Sequence, residues 1–132
     1  SEHVMVVHAQ DGLDELSLAT PSYVAELKDG QINEYLLTPE DVGLKTQSLA
    51  GLSVDNVADS LARLQDTLNK RQLADAAKAA DMIALNAGAA LYVSGLATSI
   101  KQGVTMAEDA IYSGLAFEKL DALRDFSRTF LV

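Results

Sequence analysis

The stretch Val4-Met5-Val6-Val7-His8-Ala9-Gln10-Asp11-Gly12-Leu13-Asp14-Glu15 sets the architecture of this chain. Residues 4–7 are apolar without alternation, a run that suits a strand covered on both faces, as in a parallel α/β sheet. Asp11-Gly12 then signals a tight turn, because glycine accepts positive φ at no steric cost. Asp14 and Glu15 come directly after it. In open α/β sheets, ligands bind just beyond the carboxyl ends of strands. The adjacent acidic pair is therefore the first candidate for a functional site.

Working outward, only three residues precede the apolar run. A parallel strand needs neighbours, and the residues that follow read as antiparallel. The expectation is that Ser1 marks a cut inside a larger fold. After Glu15, Leu16, Leu18 and Thr20 alternate with Ser17 and Ala19 until Pro21 interrupts any ladder. Tyr23, Ala25 and Leu27 alternate with Val24 and Glu26. Asp29-Gly30 is the preferred pair for a tight hairpin, and residues 31–37 return as the partner strand. Thr38-Pro39-Glu40-Asp41 reads as a helix start, with a capping residue, a proline suited to the first helical position and acids at the positive end of the dipole. Gly43 ends it early, and residues 44–52 read as a loop.

From Ser53 onward the pattern is helical, with Ser53 or Asp55 expected to cap the first helix. Val54, Val57, Leu61, Leu64 and Leu68 form one apolar stripe at helical spacing. The Ala-rich residues 70–80 contain no breaker and are expected to extend the next helix towards its N-terminus. Residues 82–93 are apolar nearly all round, so that helix is buried, and Ala87, Gly88, Ala89 and Ala90 allow close neighbours. Asn86 is its polar exception. A buried amide needs hydrogen-bond partners, so Asn86 is expected to tie the helix to an adjacent backbone segment. Gly95 caps the end. Residues 99–112 repeat the amphipathic pattern through Ile100, Val104, Ala107 and Ile111, and Ser113-Gly114 stops it. Gly103 costs about 1 kcal/mol relative to alanine inside a helix, so close packing is expected there. The last helix, residues 115–130, is expected to turn Ala116, Leu120, Leu123 and Phe130 inward.

The 132 residues carry no cysteine, which excludes disulfides and thiolate metal sites. No apolar run approaches a membrane span and no secretory pattern is present, so a soluble, cytoplasmic protein is expected. Charge is uneven. Residues 1–52 hold nine acids against two lysines, a balance of −7, while residues 53–132 hold ten acids against eight bases, a balance of −2. The N-terminal part repels phosphates and nucleic acid. An anionic substrate reaches it through a bound cation or through basic groups supplied elsewhere.

The residues Val-His-Ala-Gln-Asp-Gly-Leu-Asp-Glu at 7–15 resemble the Val-His-Gly-x-x-Gly-Leu-Asp-Glu motif of the anthranilate phosphoribosyltransferase family. The Thr-Pro-Glu-Asp segment at 38–41, with its following Gly-Leu, is similar to that family too. So are Leu-Asn-Ala-x-Ala-Ala-Leu-Tyr-Val-x-Gly at 85–95 and the later x-Gly-Val-x-x-Ala and Ser-Gly. The match runs nearly the whole chain in order and spacing. It implies an α/β fold, the C-terminal part of a nucleoside phosphorylase/phosphoribosyltransferase-like architecture. Residues 1–52 would carry the strands and a metal-binding turn, and residues 53–132 the helices. The family's N-terminal helical domain and its phosphate-binding loop of Gly-Thr-Gly-Gly-Asp type lie outside these residues. The resemblance further implies transfer of phosphoribose from phosphoribosyl pyrophosphate to anthranilate in tryptophan biosynthesis, with Mg²⁺ held by Asp14 and Glu15. It implies the N-terminal portion of the same enzyme as a partner, and a homodimer.

On its own, an acidic pair in a polar loop reads as solvated surface. Its place beyond a strand and its matching flanks favour a cation site, since Mg²⁺ is typically held by one or two carboxylates with waters and substrate phosphates. With histidines only at 3 and 8, no nucleophile–base arrangement stands out and no catalytic residue is assigned. His8 reads as a hydrogen-bonded structural residue. Two rival readings are a nucleoside phosphorylase relative and a non-catalytic acidic module that pairs with a partner chain. Neither reading includes a nucleic acid or a membrane as partner.

Overall fold

A computed structural model describes residues 2–69 and 74–130. Three antiparallel strands come first, followed by four helices, giving the α/β class expected. Strands β1 (His3–Ala9), β2 (Ser22–Lys28) and β3 (Gln31–Leu37) form one sheet in the order β1-β2-β3. The β2–β3 hairpin turns at Asp29-Gly30 as predicted, with φ of 52° and 76° at the two positions. A short 3-10 turn, Pro39–Val42, follows and stops at Gly43, whose φ is 90°. There the Asp41 carboxylate accepts both the backbone N–H and the hydroxyl of Thr38, each at 2.8 Å.

The β1 strand corrects one expectation. It pairs antiparallel with β2, Val6 opposite Ala25 and His8 opposite Tyr23, not in parallel. Among the described residues only one of its faces is covered. Met5, Val7 and Ala9 turn towards the helices, whereas Val6 is 66% exposed and His8 is exposed on the other side. An unbroken apolar run identifies a strand, but how many layers cover it depends on what packs there. The outer face continues through Tyr23, Ile32 and Leu36, all exposed. The alternation at residues 16–20 does not become a strand. Leu16, Ser17 and Leu18 are all buried in an irregular segment that packs under the sheet.

Helices α1 (Val57–Leu68), α2 (Ala74–Val93), α3 (Ile100–Ser113) and α4 (Leu115–Arg128) follow. The expected N-terminal extension of α2 holds from Ala74 on, and residues 70–73 lie outside the described residues. The core gathers around α2, with Leu16, Leu18 and Val24 on its sheet side and Ile100, Val104 and Ile111 from α3. All four positions predicted for the inner face of α3 are buried. Glycines explain how closely α2 and α3 approach. A Cβ at Gly88 would lie 2.5 Å from the Val104 nitrogen, and one at Gly103 would collide with the Gly88 carbonyl. The weak helix former at 103 is thus offset by backbone-to-backbone contact, as expected.

Two helix expectations need correction. The cap of α1 is Asn56, not Ser53 or Asp55. Its side-chain oxygen accepts the Asp59 N–H at 2.9 Å, and its amide donates to the Asp59 carboxylate at 2.7 Å. The α1 stripe is covered only towards its end. Leu68 is buried, but Val57 is 85% exposed. Likewise in α4, Ala116 and Leu120 pack on the core whereas Leu123 and Phe130 are exposed. Periodicity shows which residues share a helix face. Whether another element lies opposite is a tertiary matter.

Candidate functional site

The segment between β1 and β2 carries the acidic pair on a heavily braced loop. Gly12, at φ 94°, makes the turn, and its N–H donates to the Ala9 carbonyl at 3.0 Å. The Ala9 N–H in turn donates to the Leu13 carbonyl, and the Gln10 N–H to Pro21, each at 3.0 Å. The Asp11 carboxylate accepts the Ser17 hydroxyl at 2.6 Å and the Leu13 N–H at 3.3 Å. The Ser17 hydroxyl bond, opposed by desolvation and helped by the Leu13 N–H, holds the Asp11 pKa below the usual aspartate range. Ser17 is fixed further, its N–H donating to the Ser22 hydroxyl at 3.1 Å.

Asn86 braces the same loop from α2. Its side-chain oxygen accepts the Leu16 N–H at 3.0 Å, and its amide donates to the Leu16 carbonyl at 3.0 Å and to Met82 at 3.2 Å. The tie predicted for this amide is therefore present, and the segment it holds begins one residue after the acidic pair.

Asp14 and Glu15 themselves are exposed. Among the described residues neither carboxylate makes a hydrogen bond or ion pair. Glu15 lines a groove of about 370 Å³ with Val54, Ser60, Arg63, Thr67 and Met82. The described residues contain no group of three or more histidine or acidic side chains that could hold a metal ion. The pair nonetheless fits a hard cation of the Mg²⁺ type. Two unengaged carboxylates on a braced loop would supply oxygen donors to such an ion and would leave its other positions to water and phosphate oxygens.

His8 does not join this pair. Its side chain is exposed on the outer sheet face and lines another groove, with Val6, Tyr23 and Leu36, so the reading of a hydrogen-bonded structural histidine is set aside. His3, uninformative in the sequence, belongs to a polar network at the opposite end of β1. Its Nε2 lies 2.7 Å from Glu26 Oε1, and Tyr35 donates to Glu26 Oε2 at 3.0 Å. His3 meets the Tyr92 ring edge-on at 4.7 Å, and Lys28 donates to the Tyr92 hydroxyl at 3.1 Å. Burial works against the charge of Glu26, but bonds from Tyr92, His3 and Tyr35 outweigh it and leave its pKa below the usual glutamate range. Burial, with the Glu26 carboxylate next, pushes the Tyr35 phenol up. Sequence reasoning also missed Asp11 and Ser17 as braces. A serine six residues after a turn aspartate is a signal too common to single out.

Comparisons with known proteins place the sequence and its fold within a family. The profile of the glycosyl transferase family, a/b domain, matches residues 1–117. The anthranilate phosphoribosyltransferases of Stutzerimonas stutzeri and Pseudomonas fluorescens are each 58% identical to the chain, over 130 and 132 residues. The alignments take in 98% and 100% of this chain but 37% and 38% of those relatives, so the chain spans less than two-fifths of their length. The crystal structure of anthranilate phosphoribosyltransferase from Thermus thermophilus superposes with a TM-score of 0.81 at 35% identity, over 96% of this chain and 36% of that one. The Saccharomyces cerevisiae enzyme in complex with PRPP and Mg shares the fold at a TM-score of 0.70 and 24% identity, over 89% and 33% of the two chains. Among the described residues no helix is long and apolar enough to cross a membrane.

Proposed function

Because the chain belongs to the glycosyl transferase family, through the a/b domain matched over residues 1–117, we propose that it forms the C-terminal part of the large α/β domain of an anthranilate phosphoribosyltransferase. The observation that carries this reading is 58% identity, along the whole chain, to two relatives bearing that name. The complete polypeptide transfers phosphoribose from phosphoribosyl pyrophosphate to the amino nitrogen of anthranilate. The bond from the ribose anomeric carbon to pyrophosphate breaks, a carbon–nitrogen bond forms, and the amino group loses a proton.

In this scheme Asp14 and Glu15 hold Mg²⁺. When bound, the ion supplies charge neutralisation for the pyrophosphate. The two carboxylates give a strongly acidic segment a way to accept an anionic substrate that it otherwise repels. The braced loop keeps the pair at the end of β1. The Gly-Thr-Gly-Gly-Asp loop that would cradle the phosphates through backbone N–H groups is not in these 132 residues, so we assign phosphate binding and most anthranilate contacts to the N-terminal portion. Residues 1–132 alone are then inactive. A homodimer paired through the N-terminal helical domain, and a cytoplasmic location, complete the reading.

The test is consumption of anthranilate by the complete polypeptide with phosphoribosyl pyrophosphate, with and without Mg²⁺. Metal-dependent consumption with pyrophosphate release is expected. No consumption, or full turnover by residues 1–132 alone, would overturn the assignment.

A further inference from the structure

We propose that Asn86 is a positioning residue for the Asp14–Glu15 pair, acting through the backbone of Leu16, with the Asp11–Ser17 bond as a second brace. The inference rests on the metal-holding role proposed above. Asn86 engages both backbone groups of one residue, accepting from the Leu16 N–H and donating to the Leu16 carbonyl, each at 3.0 Å. The N–H it holds belongs to the peptide that joins Glu15 to Leu16. That peptide plane cannot rotate without breaking the bond, so the direction in which the Glu15 side chain leaves the backbone is set from α2. The Leu16 side chain, 1% exposed, blocks sliding of the same residue.

The frame behind Asn86 is rigid for a separate reason. Two residues further along α2, Gly88 meets the α3 backbone so closely that no Cβ fits there. On the other flank of the loop, Asp11 takes the Ser17 hydroxyl at 2.6 Å. The loop thus has two fixed feet, and its tip is the pair of carboxylates that make no bonds of their own among the described residues. Every hydrogen bond in this loop goes to backbone or to side chains beside the pair. A cation then meets carboxylates already in place, and residues that orient metal-holding groups typically change metal affinity by 10–100-fold when removed.

The test uses the complete polypeptide and Mn²⁺, detected by electron paramagnetic resonance, alongside the Mg²⁺ dependence of anthranilate consumption. Asn86→Ala is expected to weaken Mn²⁺ binding roughly 10-fold and Ser17→Ala to weaken it less. Both should raise the Mg²⁺ requirement, with kcat returning towards the parent value at saturating metal. Ile111→Val, a buried change on α3 that breaks none of the loop's hydrogen bonds, controls for lost stability. It should lower the melting temperature without altering Mn²⁺ affinity. Equal weakening by Ile111→Val overturns the proposal, and so does unchanged affinity in Ser17→Ala and in a folded Asn86→Ala. If Asp14→Asn with Glu15→Gln leaves Mn²⁺ binding unchanged, the metal-holding reading itself fails, and the two failures are therefore distinguishable.

Discussion

The two ends of β1 treat a glutamate in opposite ways. Beyond its C-terminal end, Glu15 is exposed and its carboxylate is unengaged among the described residues, while the backbone around it is bonded at nearly every step. Beside its N-terminal end, Glu26 is 8% exposed and both of its carboxylate oxygens are taken, by His3 and Tyr35. One carboxylate stays open, at the site we propose for a cation. The other is spent on tying β1 and β3 to β2. The difference teaches where support must lie. A carboxylate intended for a cation needs its bonds on the neighbouring backbone, because bonds to the carboxylate itself would compete with the ligand.

Removing the frame common to both ends should have the largest effect. Gly103→Ala drives a methyl into the Gly88 carbonyl, and a destabilisation of about 3 kcal/mol is expected in denaturant melts. A cost near zero would mean that α2 and α3 slide apart freely. The next effect separates the two glutamates. Asp14→Asn with Glu15→Gln should lower kcat/KM at fixed Mg²⁺ by about 100-fold, or ~2.7 kcal/mol, with the melting temperature unchanged. Glu26→Ala should do the reverse. It strips partners from His3 and Tyr35 and is expected to cost about 2 kcal/mol of stability while leaving the Mg²⁺ requirement alone.

The pH dependence sharpens the same contrast. The folded pKa of Glu26 lies below its ordinary value of 4.5. Its contribution to stability is therefore fully present above about pH 4.5 and is lost as pH falls through the folded pKa. Denaturant melts across that acidic window should show a slope that Glu26→Gln flattens, and an unchanged slope would remove Glu26 from the network. The smallest expected effect concerns the groove beside Glu15, one wall of which is α1. Asn56→Ala removes the cap of that helix and should cost about 1 kcal/mol, read from thermal melts, with little change in metal dependence.

Features governed by neighbouring residues were legible before any coordinates. The Asp29-Gly30 hairpin, the short turn ending at Gly43, the inner face of α3 and the stop at Gly114 all follow from backbone preferences and local periodicity. So did the need of Asn86 for a partner and of Gly103 for a close neighbour, since an unpaired amide and an unfilled glycine are both costly inside a protein. The caps were less legible. Ser53, Asp55 and Asn56 are all competent capping types within four residues, and only the chain direction at Asn56 selects among them.

The sequence by itself determined the order of elements, the sharp turns, the acidic pair at the end of a strand and the polar residue in the middle of α2. The tertiary structure decided that β1 runs antiparallel to β2, that the outer sheet face and the far half of α4 stay open, and that Glu26 points inward while Glu15 points out. It also decided that Asn86 meets Leu16, 70 positions earlier in the chain. The physical reason is range. Dihedral preferences and side-chain periodicity act over a few residues, whereas burial and hydrogen-bond partners across the fold depend on which surfaces meet.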